Sequence, residues 1–227
     1  MLFGLFLGWT SRSFGPKSFL DFAGAWQTAW RFNTAIAFVA IGVAQRADAA
    51  VLAVAIGMAV PVANILAVSA LSRGGNLGKL ATLVKVLRNP FLIASVAGIL
   101  VAVSGQNVPV LVLKPLEMLA QAAIPIALLS IGATMKWAAL AKLDAFSGIL
   151  NATKLVALPA TVLIVAKIFG FEGPLISTLV VFAALPTASA AHVLASAFGA
   201  DRERVATIIA QSTLLSGVTL PFWIYLS

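Results

Sequence analysis

Two short polar or proline-containing breaks, Asn33-Thr34 and Pro186-Thr187, interrupt otherwise apolar segments of this 227-residue chain. A break inside an apolar helix frees backbone N–H groups and turns the positive dipole ends of half-helices inward, which favours an anion and typically a carboxylate. Pro186 sharpens its break because it has no backbone donor and crowds the preceding turn, although a simple proline kink would look the same in sequence. Ser189 follows three residues later and extends the polar set. Lys154 stands about ten residues into its own apolar segment, with Asn151 three residues before it on roughly the same helical face. An ammonium at that depth must meet a partner, a cavity or a charged ligand, or else snorkel to the interface. These seven residues, Asn33, Thr34, Asn151, Lys154, Pro186, Thr187 and Ser189, form the expected binding set for a small organic anion.

Three further residues are candidates for coupling to a proton or a sodium ion. Glu117 and Gln121 lie one helical turn apart and share a face. Because Pro115 precedes them, Glu117 also fits an ordinary first-turn acid that complements the helix dipole. His192, the single histidine of the chain, could titrate during a working cycle or simply pack. Gln211, Ser212 and Thr213 read as hydrogen-bonding residues between helices. Ser189 and His192 together do not make an enzyme, since there is no Gly-x-Ser-x-Gly elbow and no second histidine. The chain has no cysteine, which removes thiol chemistry and thiolate metal sites. No metal site, cofactor or catalytic residue is expected.

The elements that must position these residues are membrane helices. Hydrophobic residues make up 61% of the chain and charged residues 10%, against about 45–50% and about 25% in soluble domains. The apolar residues run in stretches such as 49–71, 145–170 and 174–198, close to the roughly 20 residues that cross a bilayer as a helix. Lipid offers the backbone no partners, so these stretches must be helical. The reading is an all-α polytopic protein with an apolar stub at 1–9 and seven spans, at about 32–45, 49–71, 91–105, 115–135, 145–169, 174–198 and 204–226. The short 91–105 span is expected to continue back through the amphipathic stretch 80–88. The net charge of +8 is scattered over the loops, so nucleic acid is rejected as a partner and the lipid bilayer takes its place.

Loop charge sets an orientation. Arg12, Lys17, Arg31, Arg73, Lys79, Lys85, Arg88, Lys136, Lys142, Arg202 and Arg204 fall on one side, against Arg46, Lys114 and Lys167 on the other. By the positive-inside rule the first set is cytoplasmic. The expectation is a multi-pass protein of the inner or plasma membrane with its C-terminus outside.

Shifting the chain by 153 residues lays Asn33-Thr34 over Pro186-Thr187 and Ala47-Asp48 over Ala200-Asp201. Each copy has a break, a small-residue second half, an Ala-Asp loop and a final span. Five spans per copy, an odd number, require the copies to be inverted. The chain reads as one transmembrane domain, 1–227, with a partial first repeat over 1–75 and a complete second repeat over 79–227. On this reading the first repeat lacks about 75 residues before Met1, and the chain is expected to be N-terminally truncated.

Five stretches, in order, are similar to the auxin efflux carrier family. They are Arg88-Asn89-Pro90 with Phe91-Leu92-Ile93-Ala94 and Gly98; Leu119-Ala120-Gln121-Ala122-Ala123-Ile124-Pro125 through Ile131-Gly132-Ala133; Lys154-Leu155 with Pro159; Ala184-Leu185-Pro186-Thr187-Ala188 with Leu194-Ala195 and Gly199; and Ser212-Thr213-Leu214-Leu215-Ser216 with Thr219-Leu220-Pro221. The resemblance runs from about Trp30 to the C-terminus and is strongest over 80–227. It implies ten helices in two inverted five-helix repeats, a crossover of two broken helices at Asn33 and Pro186, and both termini outside. It implies transport of organic anions such as malate, malonate or auxin-like carboxylates by alternating access. A homodimer, an ion-coupled symporter of the related bile-acid-type fold and an inactive transporter fragment stay open as alternatives.

Overall fold

The computed structural model describes residues 1–75, 78–88, 90–134 and 136–227. Among these residues the chain is helical and has no strand. The stub is helix α1 (Leu2–Trp9), followed by a 3-10 turn at Thr10–Phe14. Helix α2 (Phe19–Trp26) starts on the Ser18 hydroxyl, which accepts from the Asp21 amide, and ends in a 3-10 turn at Gln27–Ala29. After the first break come α3 (Thr34–Val43) and the long α4 (Ala49–Gly74). Helices α5 (Lys79–Leu87), α6 (Pro90–Ser104) and α7 (Val110–Thr134) follow. Then come α8 (Ala145–Ala152) and α9 (Leu158–Ile168), joined without a break in the rod by a π-turn at Thr153–Ala157. The chain ends with α10 (Pro174–Ala184), α11 (Ala190–Phe198) and α12 (Arg202–Leu226).

Three described helical rods are long and apolar enough to cross a bilayer: Ala49–Gly74, Ala145–Ile168 and Arg202–Leu226. Two expected spans are instead divided. The 174–198 segment splits into α10 and α11 around Pro186, and the 32–45 segment contributes only the ten-residue α3 beyond Asn33. The stretch 80–88 does not run on into the 91–105 span. It forms the separate helix α5, and Pro90 opens α6 at a first-turn position where its missing N–H costs nothing. Asn89 of the family-like stretch and Met135 of the 115–135 span lie outside the described residues.

Helices α4 and α12 start alike and at opposite ends of the bundle. Asp48 caps α4 by accepting from the amides of Ala50 and Val51, and Asp201 caps α12 by accepting from the amide of Arg204. These are ordinary aspartate caps that satisfy first-turn donors. Near Asp48, its own amide donates to Thr178 Oγ1 at 2.8 Å and Ser177 Oγ donates to the Ser227 carbonyl at 2.9 Å. Near Asp201, its amide donates to Asp21 Oδ1 at 2.8 Å, and Arg204 pairs with Asp144 at 2.7 Å. The turn into Asp201 is made by Gly199, whose φ of 75° is the left-handed C-terminal cap that glycine adopts without strain. Arg12, Arg73, Lys142, Arg202 and Arg204 gather at the Asp201 end, while Arg46 and Lys167 line a cavity of about 950 Å³ at the Asp48 end. Burial works to raise the Asp144 carboxyl, but hydrogen bonds from Ser147 and the nearby Arg204 guanidinium outweigh it and hold the group below its ordinary value. The ion pair therefore supports the fold at neutral pH, and its contribution fades as pH falls through the acidic range.

Packing centres on the first broken helix. Phe22, Trp26 and Trp30 lie buried with Phe146, Leu150, Ala191 and Val205. Trp9 of α1 meets the Trp26 ring edge-on at 4.9 Å, and Trp26 meets Trp30 at 4.8 Å. Helices α6 and α7, by contrast, present Leu100, Val103, Leu111, Leu119 and Leu129 outward. In a bilayer such faces are at home, because lipid chains solvate them as well as a protein core would.

The end of α4 meets the start of α2 with no room for a side chain. A Cβ on Gly74 would lie 2.6 Å from the Leu20 Cα and 2.9 Å from its nitrogen. Alanine is normally about 1 kcal/mol better than glycine inside a helix. Here the backbone clash reverses the sign: Gly74→Ala is expected to destabilise the protein by about 1–3 kcal/mol, measured as a lowered midpoint of thermal unfolding in detergent.

Candidate anion site at the crossed breaks

The two breaks touch. The Asn33 amide donates to the Pro186 carbonyl at 2.9 Å, so the chain segments that leave helical geometry in the first and second halves are bonded to each other. On the first side, Asn33 has extended backbone angles, and its Oδ1 accepts from the amides of Ala35 and Ile36. It thereby caps the inward-facing start of α3, which begins at Thr34. On the second side, Leu185 and Pro186 are buried, and the Thr187 amide donates to Ser212 Oγ of α12 at 3.1 Å. Ser189 occupies the cap position of α11 without making a cap hydrogen bond, and it is exposed. One half-helix start is therefore closed by a side chain, and the other is not.

Lys154 is buried, with 3% of its surface exposed, and does not snorkel. Its Nζ donates at 2.7 Å to the carbonyl of Ala183, in the last turn of α10. Carbonyls in a final turn have no helical partner and carry the negative dipole end, so a cation fits there. The π-turn and Pro159 explain the neighbouring contact. Pro159 has no N–H to offer the Leu155 carbonyl four residues back, and Trp223 Nε1 of α12 supplies a replacement donor at 2.8 Å. Lys154, Trp30, Phe32, Leu158, Phe182 and Ala183 line a cavity of about 150 Å³ beside the crossing.

Asn151 does not join Lys154. Its Nδ2 donates to Gln211 Oε1 at 3.3 Å, and Gln211 Nε2 donates on to the Ala139 carbonyl at 2.9 Å. The two residues thus bind different neighbours, α12 and α10. Gln211 and Ser212 bond between elements as their types suggest, whereas Thr213 Oγ1 bonds back within its own helix to Ile209. Glu117 and Gln121 are exposed on α7, and Glu117 pairs with Lys114 at 3.9 Å. His192 is partly buried in the first turn of α11, its amide donating to the Ser189 carbonyl. Among the described residues there is no group of side chains suited to hold a metal ion.

Arg31 departs most from the sequence reading, which counts it with the loop cations. It is 4% exposed and lies between α2 and the first break. Its Nη2 donates to Asn64 Oδ1 of α4 at 3.0 Å and its Nη1 to Gln27 Oε1 at 3.3 Å. The signal was present in the spacing, because Arg31 stands only two residues before Asn33. A charge that close to an inward break lies at the depth of the break.

Of the buried side-chain polar atoms without a hydrogen-bond partner among the described residues, three belong to residues within three positions of Asn33 or Pro186 along the chain: Trp30 Nε1, Arg31 Nε and Thr187 Oγ1. Buried groups without partners are rare in native proteins, and each calls for an explanation.

The model of the family described as membrane transport protein matches residues 78–224, more than half of the chain. A protein of Rhizobium meliloti (strain 1021) named "Putative malonate transporter" is 32% identical over 139 residues, which cover 61% of this chain and 43% of that protein. An "Uncharacterized transporter" of Methanothermobacter thermautotrophicus is 32% identical over 105 residues, covering 46% of this chain and 35% of its own. The matches thus span less than half the length of either curated relative. No solved structure matches. The chain belongs to the membrane transport protein family, that of the auxin efflux carriers to which the motifs of its second half are similar.

Proposed function

We propose that the protein is a secondary carrier of small organic anions, with dicarboxylates such as malonate and malate as the first substrates to consider. The observation that carries this reading is the bond between the Asn33 amide and the Pro186 carbonyl, flanked by buried donors that lack partners. A carboxylate has acceptor sites for several such donors. Half-helix starts, together with buried cations, favour a negative charge at that place. In this reading Thr187, Asn33, Thr34, Pro186 and Ser189 form the anion's polar surroundings, and Lys154 supplies charge, with Asn151 holding the neighbouring helix in register. Glu117, Gln121 and His192 are the groups to test for proton or sodium coupling.

Alternating access would come from two inverted copies offset by 153 residues. The similar Asp-capped starts of α4 and α12 at opposite ends of the bundle support that organisation. The cluster of basic residues at the Asp201 end supports a cytoplasmic face there, with the C-terminus outside an inner or plasma membrane. The name of the Rhizobium relative supports malonate as the first probe.

The test is uptake of labelled malonate by liposomes containing the purified chain. Saturable uptake that unlabelled malate and malonate suppress, and that the neutral diamide of malonate does not, is the expected result. No uptake above protein-free liposomes would defeat the reading. Flux that shows neither saturation nor competition would point to a channel.

A further inference from the structure

We propose that Arg31, held by Gln27 and Asn64, is the guanidinium that binds a carboxylate of the transported anion. The inference rests on the carrier reading and adds a residue to the site. Arg31 is buried and has no carboxylate partner among the described residues; the ion pairs there are Lys114 with Glu117 and Arg204 with Asp144. Its two contacts are to neutral amide oxygens, and Nε has none. A guanidinium has five N–H donors arranged to grip a carboxylate with two parallel hydrogen bonds. An uncompensated charge is expensive at membrane depth, and such residues are kept there for ligand or ion pathways.

The surroundings hold the head group in place while leaving its charge unmatched. Gln27 Nε2 donates to the carbonyls of Gly24 and of Ala191 in α11, so the amide that touches Arg31 is fixed to both broken helices. Asn64 Nδ2 is fixed to the Val60 carbonyl at 2.9 Å, leaving Oδ1 for Arg31. The cluster thus sits where α2, α4 and α11 meet, two residues along the chain from the Asn33–Pro186 bond. Lys154 Nζ already donates to the Ala183 carbonyl, whereas Arg31 Nε is a buried donor with no partner at all. A carboxylate arriving at the crossing would take Nε together with Nη2, which shares that edge of the guanidinium and now donates to Asn64 Oδ1.

Asn64→Asp tests this without removing Arg31, because it places a carboxylate where the amide oxygen now lies. The protein would then carry its own anion on the guanidinium. Malonate binding to the purified chain is followed by titration calorimetry, with thermal unfolding as the control for folding. Arg31→Gln is expected to weaken malonate binding at least tenfold, with partial recovery in Arg31→Lys. Asn64→Asp is expected to weaken it by a similar factor while the unfolding midpoint holds or rises. If Arg31 only ties α2 to α4, Asn64→Asp strengthens that tie and leaves malonate affinity at the wild-type value. That result would overturn the proposal, while the carrier reading would survive. If the wild-type chain binds no malonate and moves no carboxylate in liposomes, the carrier reading itself fails, and this inference with it.

Discussion

Asn33→Ala is expected to cost both stability and transport, and Asn33→Asp is expected to separate the two. The Asn33 side chain closes the start of α3 by accepting from the amides of Ala35 and Ile36. Alanine cannot do this, and the loss of an N-terminal cap costs typically about 1 kcal/mol, up to about 2. At this site the upper figure applies, because Asn33 is only 6% exposed and lipid offers the stranded amides nothing. A freed helix start also lets the bond between the Asn33 amide and the Pro186 carbonyl shift. Uptake should therefore fall at least roughly tenfold, the equivalent of about 1.4 kcal/mol in the populated working geometry. Aspartate keeps an oxygen acceptor at the same position and is as good a cap, and the positive start of α3 offsets part of the desolvation of its charge, so the unfolding midpoint should fall less than in Asn33→Ala. Its negative charge would face the arriving anion, and uptake should stay low. Thermal unfolding and malonate uptake, measured on the same preparations, check both halves. Normal uptake in Asn33→Asp would remove the crossing from the anion's path.

Lys154→Met is expected to show the opposite imbalance, with little change in stability and a large loss of transport. Methionine preserves most of the side-chain volume beside the 150 Å³ cavity. It removes the donor to the Ala183 carbonyl, and a charged hydrogen bond is worth about 1.5–3 kcal/mol. It also removes a buried ammonium, whose desolvation opposes folding by several kcal/mol. The two effects offset, so the unfolding midpoint should move by only a few degrees in either direction. Uptake should fall at least roughly tenfold if the cation serves the anion, since one of two buried positive charges near the crossing is lost. Retained uptake with a lowered midpoint would make Lys154 a cap for α10 and nothing more.

The two variants probe different ends of the same construction. Asn33 caps the start of a half-helix, where the dipole is positive, and Lys154 caps the end of another, where it is negative. Backbone groups that a continuous helix would satisfy internally are met instead by single side chains. Beside the second break the buried Thr187 hydroxyl has no partner, and there a ligand has something to bind.

Much of this was legible in the amino acids because the bilayer leaves so few options. Long apolar runs must be helices in lipid, and the rods Ala49–Gly74, Ala145–Ile168 and Arg202–Leu226 fall where those runs lie. The breaks at Asn33 and Pro186 were equally visible, because polar residues and proline stand out against an apolar background. The sequence did not determine which partners the polar groups take. Spacing put Asn151 beside Lys154, yet packing sends one to α12 and the other to α10. Loop counting put Arg31 with the cytoplasmic cations, yet it is buried against Asn64, 33 residues away. The join from Asn33 to Pro186 links residues 153 positions apart in the sequence. Local sequence sets where a helix must stop, because that depends on backbone donors and dipoles within one turn. Only the tertiary structure decides what fills the gap, because the filling group comes from another helix.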